Sequence, residues 1–260
     1  MRKKLRISII TVSYNSVDTI KDSINSVLSQ DYINIEYIII DGDSKDGTVD
    51  IIESFGNKVD YFISEKDKGI YDAMNKGIKA ATGDIIGILN SDDFYPNNSV
   101  ISNVVKNFKN FDCDSIYGDL VYVKHNNTSR IVRYWKSEEF SIFKLKRGWM
   151  LPHPTFFLKR SLYLKYGLYN TELRSAADYE MILRLLYKYN ISVRYIPNIL
   201  VKMRQGGVSN ASLLNRIKAN KEDSLSWKIN ELYQPFFIRI RKPLIKIKQY
   251  FIRPSKLNSN

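Results

Sequence analysis

Short apolar runs alternate with helical stripes over the first hundred residues, and this alternation constrains the fold more than any other feature of the chain. Strands are predicted over 5–12, 35–40, 59–64 and 85–89. Apolar residues at helical spacing follow the first strand, and further helices are predicted from Thr48 and over 70–81. This β-α-β-α order predicts an α/β domain with a mainly parallel central sheet flanked by helices.

Acidic residues follow the predicted strands at the points where the strands end. They are Asp41 and Asp43, Glu65 and Asp67, and Asp92 and Asp93. The carboxyl ends of parallel strands meet at one edge of a sheet, which is where open α/β sheets bind ligands. Adjacent carboxylates repel unless water or a cation separates them, and oxygen ligands at such a turn suit Mg2+ or Mn2+. A solvated turn is the alternative, but three acidic strand ends on one edge favour a ligand site.

Four segments carry a resemblance to a known family. They are SIITVSYN at 8–15, IDGDSKDGT at 40–48, GIYDAMNKG at 69–77 and NSDD at 90–93. In this order and at these distances they resemble the family 2 glycosyltransferases, in particular bacterial enzymes that extend capsule, exopolysaccharide or O-antigen units. The resemblance implies the A-type glycosyltransferase fold. It also implies metal-dependent transfer of a hexosyl-type sugar from a nucleotide sugar, with a UDP-sugar as the first choice of donor. The configuration of the anomeric carbon is expected to invert. The family usually has a second glycine where this chain has Asp43.

The resemblance assigns the nucleoside to the first two strand ends. Asp41 matches the carboxylate that accepts from the base, although an acidic residue before a helix also suits the helix dipole. Thr11, Ser13 and Asn15 match a loop that lies against the nucleoside, and ordinary helix capping is the alternative for the last two.

The diphosphate side is assigned to the fourth strand end and to the helix over 70–81. Asp93 matches the direct ligand of the metal, Mn2+ or Mg2+, and Asp92 lies beside it on the donor sugar or ribose. Tyr71, Asp72 and Asn75 match positions near the diphosphate and sugar, and a polar helix face is the alternative for these three.

The second half of the chain is expected to bind the acceptor. Asp178, at a predicted helix start, matches the general base that takes the proton of the acceptor hydroxyl, and a plain N-cap is the alternative. Glu180 is the second candidate for the base. His153 matches a wall of the active site, at the diphosphate or the acceptor, although a lone histidine is often structural. Gly207 lies in a glycine pair that resembles a loop closing near the diphosphate, or serves only as a joint.

Composition narrows the cellular setting. One cysteine and two histidines argue against a disulfide framework and a zinc site. No run of eighteen apolar residues occurs, and the N-terminus leads directly into the first strand, so neither a transmembrane helix nor a signal peptide is predicted. A cytoplasmic location is therefore expected.

The C-terminal part is strongly basic. Residues 213–260 contain eleven Lys or Arg against three acidic residues, a balance of +8 (11 − 3), within a chain of net charge +13. Two regions are predicted, a catalytic domain over 1–211 and a basic, amphipathic helical extension over 212–260. Apolar residues from Phe237 to Phe251 share one helical face, which is typical of a helix on anionic lipid. Packing of this helix on the core is the alternative, and no nucleic-acid module is recognised.

Attachment at the inner face of the membrane would suit a saccharide acceptor linked to polyprenyl diphosphate.

Two other classes of function stay open. A sugar-nucleotide pyrophosphorylase would need a Gly-rich loop bearing Lys or Arg after the first strand, and residues 11–16 contain none of these residue types. A non-catalytic basic protein of the membrane surface would use the same carboxylates only as turns.

Overall fold

A nine-stranded mixed sheet organises the computed structural model, which describes residues 4–206, 213–252 and 254, with the backbone alone for 213–219, 239, 240, 243, 246 and 248. The strands are β1 Ile7–Ser13, β2 Ile35–Asp41, β3 Tyr61–Ser64, β4 Ile85–Asn90, β5 Asp93–Phe94, β6 Ser115–Lys124, β7 Asn127–Trp135, β8 Phe157–Lys159 and β9 Val193–Arg204. The helices are α1 Ile20–Leu28, α2 Thr48–Glu53, α3 Ile70–Ala80, α4 Val100–Asn110, α5 Ile142–Lys146, α6 Arg160–Tyr166, α7 Ala177–Ile182, α8 Leu213–Ile229 and α9 Ile238–Lys248.

The strand order is β3-β2-β1-β4-β8-β6-β9-β5, with β7 paired to β6. The first four strands are parallel, as the alternation of strands and helices predicts. The second half is mixed because β8 runs antiparallel to both β4 and β6, whereas β6 and β9 are parallel. The predicted hairpin is formed by β6 and β7.

Strand register brings the predicted site residues to one edge. Ser13 lies opposite Asp41, and Asp41 lies opposite Ser64. On the other side of β1, Val12 lies opposite Asn90. The carboxyl ends of β3, β2, β1 and β4 therefore lie side by side, with the 91–93 turn at the end of the row.

Helix α3 packs very closely on one face of the parallel strands. A Cβ atom at Gly77 would lie 2.4 Å from Ile10 Cγ2 and 3.3 Å from Ile40 Cγ1, so this helix position admits only glycine without repacking. The residues of β1 and β2 whose side chains point the other way, such as Ile9 and Tyr37, belong to the core on the opposite face of the sheet. Both faces of the sheet are thus covered, as the apolar runs in these strands predict.

Helices α8 and α9 pack on the part of the chain that contains the sheet. Trp227 of α8 is 1% exposed and donates to the Tyr179 hydroxyl at 2.9 Å. Ile238 of α9 and Gln249, directly after this helix, are buried, and Lys242 of α9 forms an ion pair with Asp223 of α8 at 2.6 Å. The predicted division between 211 and 212 lies outside the described residues. No helix in the described part of the chain is long and apolar enough to cross a membrane.

Candidate active site

The Asp41 carboxylate is completely buried at the end of β2 and is held by four donors. Oδ1 accepts from the Ser13 hydroxyl at 2.9 Å and the Ser44 hydroxyl at 2.6 Å. Oδ2 accepts from the Ser44 amide at 2.8 Å and the Ser64 hydroxyl at 2.7 Å. Asp41 thus ties together the ends of three parallel strands. Its contact with a nucleotide base stays a prediction, and it would require this network to open.

The other predicted nucleoside residues also support these loops. The Thr11 hydroxyl is buried within β1 and shares a hydrogen bond of 3.1 Å with the Tyr37 hydroxyl, so it belongs to the packed interior rather than the open edge. The side-chain oxygen of Asn15 accepts from the Lys45 backbone amide at 3.1 Å. The backbone amide of Asn15 donates to Ser44 Oγ at 2.8 Å. Because Asn15 is exposed, it remains accessible to a ligand.

Asp43, where the chain departs from the family pattern, has a left-handed backbone with φ of +67°. Glycine adopts this conformation without strain, and aspartate tolerates it better than most residues. The conformation therefore accounts for both residue types at this position.

A shallow surface beside Asp41 offers an exposed ring and a carboxylate. Gly42 leaves it open, because a Cβ atom there would lie 2.6 Å from Asp67 Oδ2 and 3.3 Å from the Tyr14 ring. The Tyr14 side chain is 66% exposed. Asp67 is anchored through Oδ1, which accepts from the Gly69 amide at 2.8 Å. Sequence reasoning placed Asp67 among the acidic strand ends but missed its proximity to Gly42, which depends on how two loops cross.

The turn after β4 contains two buried oxygen atoms without hydrogen-bond partners among the described residues, Asn90 Oδ1 and Asp93 Oδ1. Asp93 is fully buried, and its other oxygen accepts from Asn90 Nδ2 at 3.1 Å. Burial first, and then the neighbouring Asp92, raise the pKa of the Asp93 carboxyl well above its usual range. Burial also raises the pKa of Asp92. A buried carboxylate with an unpaired oxygen is costly unless a proton or a cation compensates it.

The donor set of this turn fits a hard divalent cation. No three His, Cys, Asp or Glu side chains of the described residues converge in a metal cluster. The two unpaired oxygens of Asn90 and Asp93 are nevertheless of the type that Mg2+ and Mn2+ accept, and such ions retain several non-protein ligands. Arg204 donates to the backbone oxygen of Asp92 at 2.9 Å and also forms an ion pair with Asp22. The buried guanidinium group of Arg204 therefore holds the turn in place.

Helix α3 meets helix α7 at the other side of this edge. The Tyr71 hydroxyl donates to Asp178 Oδ1 at 3.2 Å, although the two residues are 107 positions apart. Burial, followed by the charge of Asp178, raises the pKa of Tyr71 well above its usual range. Only one oxygen of Asp178 is engaged within the described residues, and its side chain is half-buried. The sequence-predicted Tyr71 and Asp178 are therefore brought together.

Tyr169, which sequence reasoning missed, lies at the centre of this region. Its ring stacks on Tyr71 with centroids 5.6 Å apart, and its hydroxyl lies 2.6 Å from His153 Nε2. Asn75 clamps its backbone with two hydrogen bonds of 2.9 Å. Burial lowers the pKa of His153, so its imidazole is neutral at neutral pH. Asn75 thus acts on Tyr169, and any contact of Asn75 with the donor stays a prediction.

Two further predicted residues, Glu180 and Asp72, bond to protein groups near them. Glu180 is buried and forms an ion pair with Arg184 at 3.0 Å, while Asn230 donates to it at 3.1 Å. Arg184 binds both carboxylate oxygens of Glu180. The second candidate for the general base is therefore poorly suited to take a proton from an acceptor hydroxyl. Asp72, in the first turn of α3, accepts from the amide of Lys68, two residues before the helix begins, at 3.0 Å. Gly207 lies outside the described residues.

Comparisons with known proteins agree with the fold and the motifs. The model of glycosyl transferase family 2 matches residues 8–168. An uncharacterized glycosyltransferase of Mycobacterium tuberculosis is 34% identical over 183 residues, 68% of each chain. A PGL/p-HBAD biosynthesis glycosyltransferase of Mycobacterium bovis is 26% identical over 208 residues, 78% of each chain.

Two solved structures resemble the chain in fold. S. aureus TarS 1-349 in complex with UDP-GlcNAc has a TM-score of 0.67 at 18% identity, over 87% of this chain and 65% of that one. The chain thus spans somewhat less than two thirds of the TarS chain. The mannosyltransferase PcManGT from Pyrobaculum calidifontis, with GDP-Man and Mn2+, has a TM-score of 0.65 at 18% identity, over 96% and 70%. The predicted α/β glycosyltransferase fold is confirmed.

Proposed function

Because the chain belongs to glycosyl transferase family 2 and is therefore a glycosyltransferase, we propose that it moves a hexosyl-type sugar from a UDP-sugar to a saccharide acceptor, with inversion. The observation that carries this proposal is the contact of Tyr71 with Asp178, which joins the donor half to the acceptor half. Nucleotide-sugar donors are present in both structural neighbours, UDP-GlcNAc in TarS and GDP-Man in PcManGT. Neither the pyrophosphorylase nor the non-catalytic alternative has comparable support.

Asp178 acts as the base of a single displacement. Its carboxylate takes the proton of the acceptor hydroxyl while that oxygen forms a bond to C1 of the donor. The bond from C1 to the diphosphate breaks on the opposite face, and the nucleoside diphosphate leaves with the electron pair. An α-linked D-sugar donor then gives a β-linked product. The hydrogen bond from Tyr71 fixes the orientation of Asp178.

Asp93, together with the side-chain oxygen of Asn90, would hold a divalent cation, because both carry buried oxygens without partners. When bound, Mn2+ or Mg2+ would offset the negative charge of the departing diphosphate. PcManGT was solved with Mn2+, which supports this choice of ion. Asp92 lies next to Asp93 and is placed at the donor sugar or ribose.

The experiment is a donor panel with Mn2+ and with EDTA. We expect release of UDP from at least one UDP-sugar, strong loss of turnover in EDTA, and loss in Asp93→Ala with an unchanged circular-dichroism spectrum. Asp112→Ala is the matched control, because that carboxylate is fully exposed at the opposite end of the strands. The donor proposal fails if no nucleotide sugar turns over, and the metal proposal fails if EDTA leaves turnover undiminished.

The uracil ring of the donor nucleotide is assigned to the shallow surface of Tyr14, Gly42 and Asp67. Asp67 Oδ2 forms no hydrogen bond within the described part of the chain and can accept the hydrogen on uracil N3, whereas the Asp41 oxygens are already bonded. Asp67→Asn keeps the shape and should weaken UDP binding about tenfold or more, since charged acceptors form stronger hydrogen bonds. Calorimetry with UDP and Mn2+ measures this, and Glu65→Gln is the control. A larger loss of affinity than of stability in Asp41→Asn would return the role to Asp41.

We also propose that the acceptor is lipid-linked and that the enzyme works at the inner face of an anionic membrane, in cell-surface polysaccharide synthesis. Residues 232–260 contain seven Lys or Arg and no Asp or Glu. Helix α9 docks through Ile238, while Phe237, Leu244 and Phe251 are 60%, 55% and 80% exposed. The two interpretations of this helix are thus compatible, since one face packs on the core and another presents apolar groups beside basic residues.

Vesicle flotation tests the membrane proposal without removing the packed side chains of α9. Phe237→Ser combined with Leu244→Ser should release the protein from phosphatidylglycerol vesicles, and high salt should weaken binding of the unaltered chain. Ile33→Ser is the matched control, because Ile33 is an apolar residue that is 85% exposed in the loop before β2. Unchanged binding of the double variant would exclude this surface.

A further inference from the structure

A carboxylate of the C-terminal extension holds the segment that leads into helix α7. Glu222 of α8 accepts from the Ser175 amide at 2.8 Å, from the Ser175 hydroxyl at 2.9 Å and from the Arg174 amide at 3.2 Å. Three hydrogen bonds from one side chain therefore converge directly before the helix that carries Asp178.

Helix α7 lacks a cap of its own. Its N-cap residue is Ala176, which has no side-chain acceptor for the first amides of the helix. Residues Arg174 and Ser175 are exposed, so without Glu222 their amides would be bonded only by water. The Glu222 carboxylate instead binds the two amides that directly precede the N-cap, and its negative charge suits the positive end of the α7 dipole.

Helix α8 holds α7 on the other side of Asp178 as well. Trp227 donates to the Tyr179 hydroxyl at 2.9 Å, and Asn230 donates to the Glu180 carbonyl at 3.3 Å. Asp178 is therefore flanked by contacts with α8 at positions 174 and 175 before it and 179 and 180 after it. Burial and the charge of Asp178 raise the pKa of the Tyr71 hydroxyl most, and the charge of Glu222 adds to them.

We propose that Glu222 is a positioning residue for sugar transfer, which fixes the start of α7 so that Asp178 meets the acceptor hydroxyl in line with the donor. This inference rests on the proposed role of Asp178 as the base. It assigns to the C-terminal extension a part in the chemical step, in addition to its exposed surface. As a positioning residue, Glu222 acts through the backbone of Arg174 and Ser175 and does not contact the substrate.

The test is a double-mutant cycle on the full chain with Mn2+ and the UDP-sugar that turns over in the donor panel. Glu222→Ala should lower kcat about tenfold, because a small displacement of a catalytic group is enough to cost this much. The KM for the donor and the calorimetric affinity for UDP should stay within about twofold. Glu222→Gln keeps an acceptor oxygen and should restore most of kcat. Glu231→Gln is the control, because Glu231 is an exposed carboxylate of the same extension that forms an ion pair with Lys188.

The second arm of the cycle repeats Glu222→Ala in an Asp178→Asn background. Residues that act as one unit show non-additive losses, so the second substitution should change the remaining kcat less than twofold. An equal tenfold loss in both backgrounds, or a kcat of Glu222→Ala within twofold of the unaltered chain, overturns the proposal. If Glu222→Ala does not fold, Ser175→Ala removes one of the three bonds, and an unchanged kcat there overturns it too. Full activity of Asp178→Asn would instead refute the proposed base.

Discussion

Replacing Asn75 by alanine tests how far the Tyr169 cluster depends on one buried amide. The Asn75 side chain makes two hydrogen bonds of 2.9 Å to the backbone of Tyr169, and it is only 7% exposed. Asn75→Ala would leave the N–H and the C=O of Tyr169 without partners. Each buried backbone group in that state costs about 1–3 kcal/mol, so the free energy of unfolding should fall by about 2–6 kcal/mol. Because Tyr169 contacts Tyr71 and His153, kcat should fall as well.

Urea unfolding followed by tryptophan fluorescence measures the effect, with Asn25→Ala as the control, because Asn25 is exposed on α1 and should change stability by less than about 0.5 kcal/mol. Asn75→Asp adds a pH signature. An ionised carboxylate there would repel the Tyr169 carbonyl, whereas a protonated one can donate to it as the amide does. The difference from the unaltered chain should therefore shrink as pH falls from 8 to 5. A loss below about 1 kcal/mol in Asn75→Ala would refute the role of the clamp.

Three further perturbations probe the scaffold of the site. Gly77→Ala should lower the free energy of unfolding by about 1–3 kcal/mol, because its methyl group would lie 2.4 Å from Ile10, while exposed Lys79→Ala should be nearly neutral in the same urea titration. Asp43→Gly should keep full turnover, but Asp43→Val should reduce the melting temperature, because a β-branched residue is strained at φ of +67°. Burial lowers the pKa of His153 in the folded state, so the unfolded chain binds more protons just below the ordinary pKa of about 6.5. Stability is therefore lost as pH falls through that value. Between pH 7.5 and 5.5, the melting temperature of His153→Gln should fall less than that of the unaltered chain. An identical fall in both proteins would contradict this prediction.

The parallel half of the sheet was predictable because its signals are local. Apolar runs, helical spacing and strand-end carboxylates each lie within short segments, and parallel pairing then gathers those ends at one edge. The turn with Asp92 and Asp93 and the helix with Tyr71 were located in this way. Resemblance to the family added Asp178, whose contact with Tyr71 across 107 positions no periodicity could show.

The roles of individual polar residues were harder to predict because they depend on tertiary hydrogen bonds. Asp41 was expected at the nucleotide, and the structure surrounds it with four donors from three strand ends. Glu180 was a second candidate for the base, and Arg184 and Asn230 bind it in the interior. Tyr169 and Glu222 gave no sequence signal, because an aromatic residue in a loop and a carboxylate on a helix occur in most proteins.

Single-turnover transfer by Asp178→Asn tests the central claim most directly. The substitution keeps the size of the side chain and its bond from Tyr71 but removes the proton acceptor. With donor, acceptor and Mn2+ at saturation, the rate of the chemical step should fall about a hundredfold or more, while UDP binds with nearly unchanged affinity. A transfer rate within a few-fold of the unaltered enzyme would contradict the claim that Asp178 activates the acceptor at this edge of the sheet.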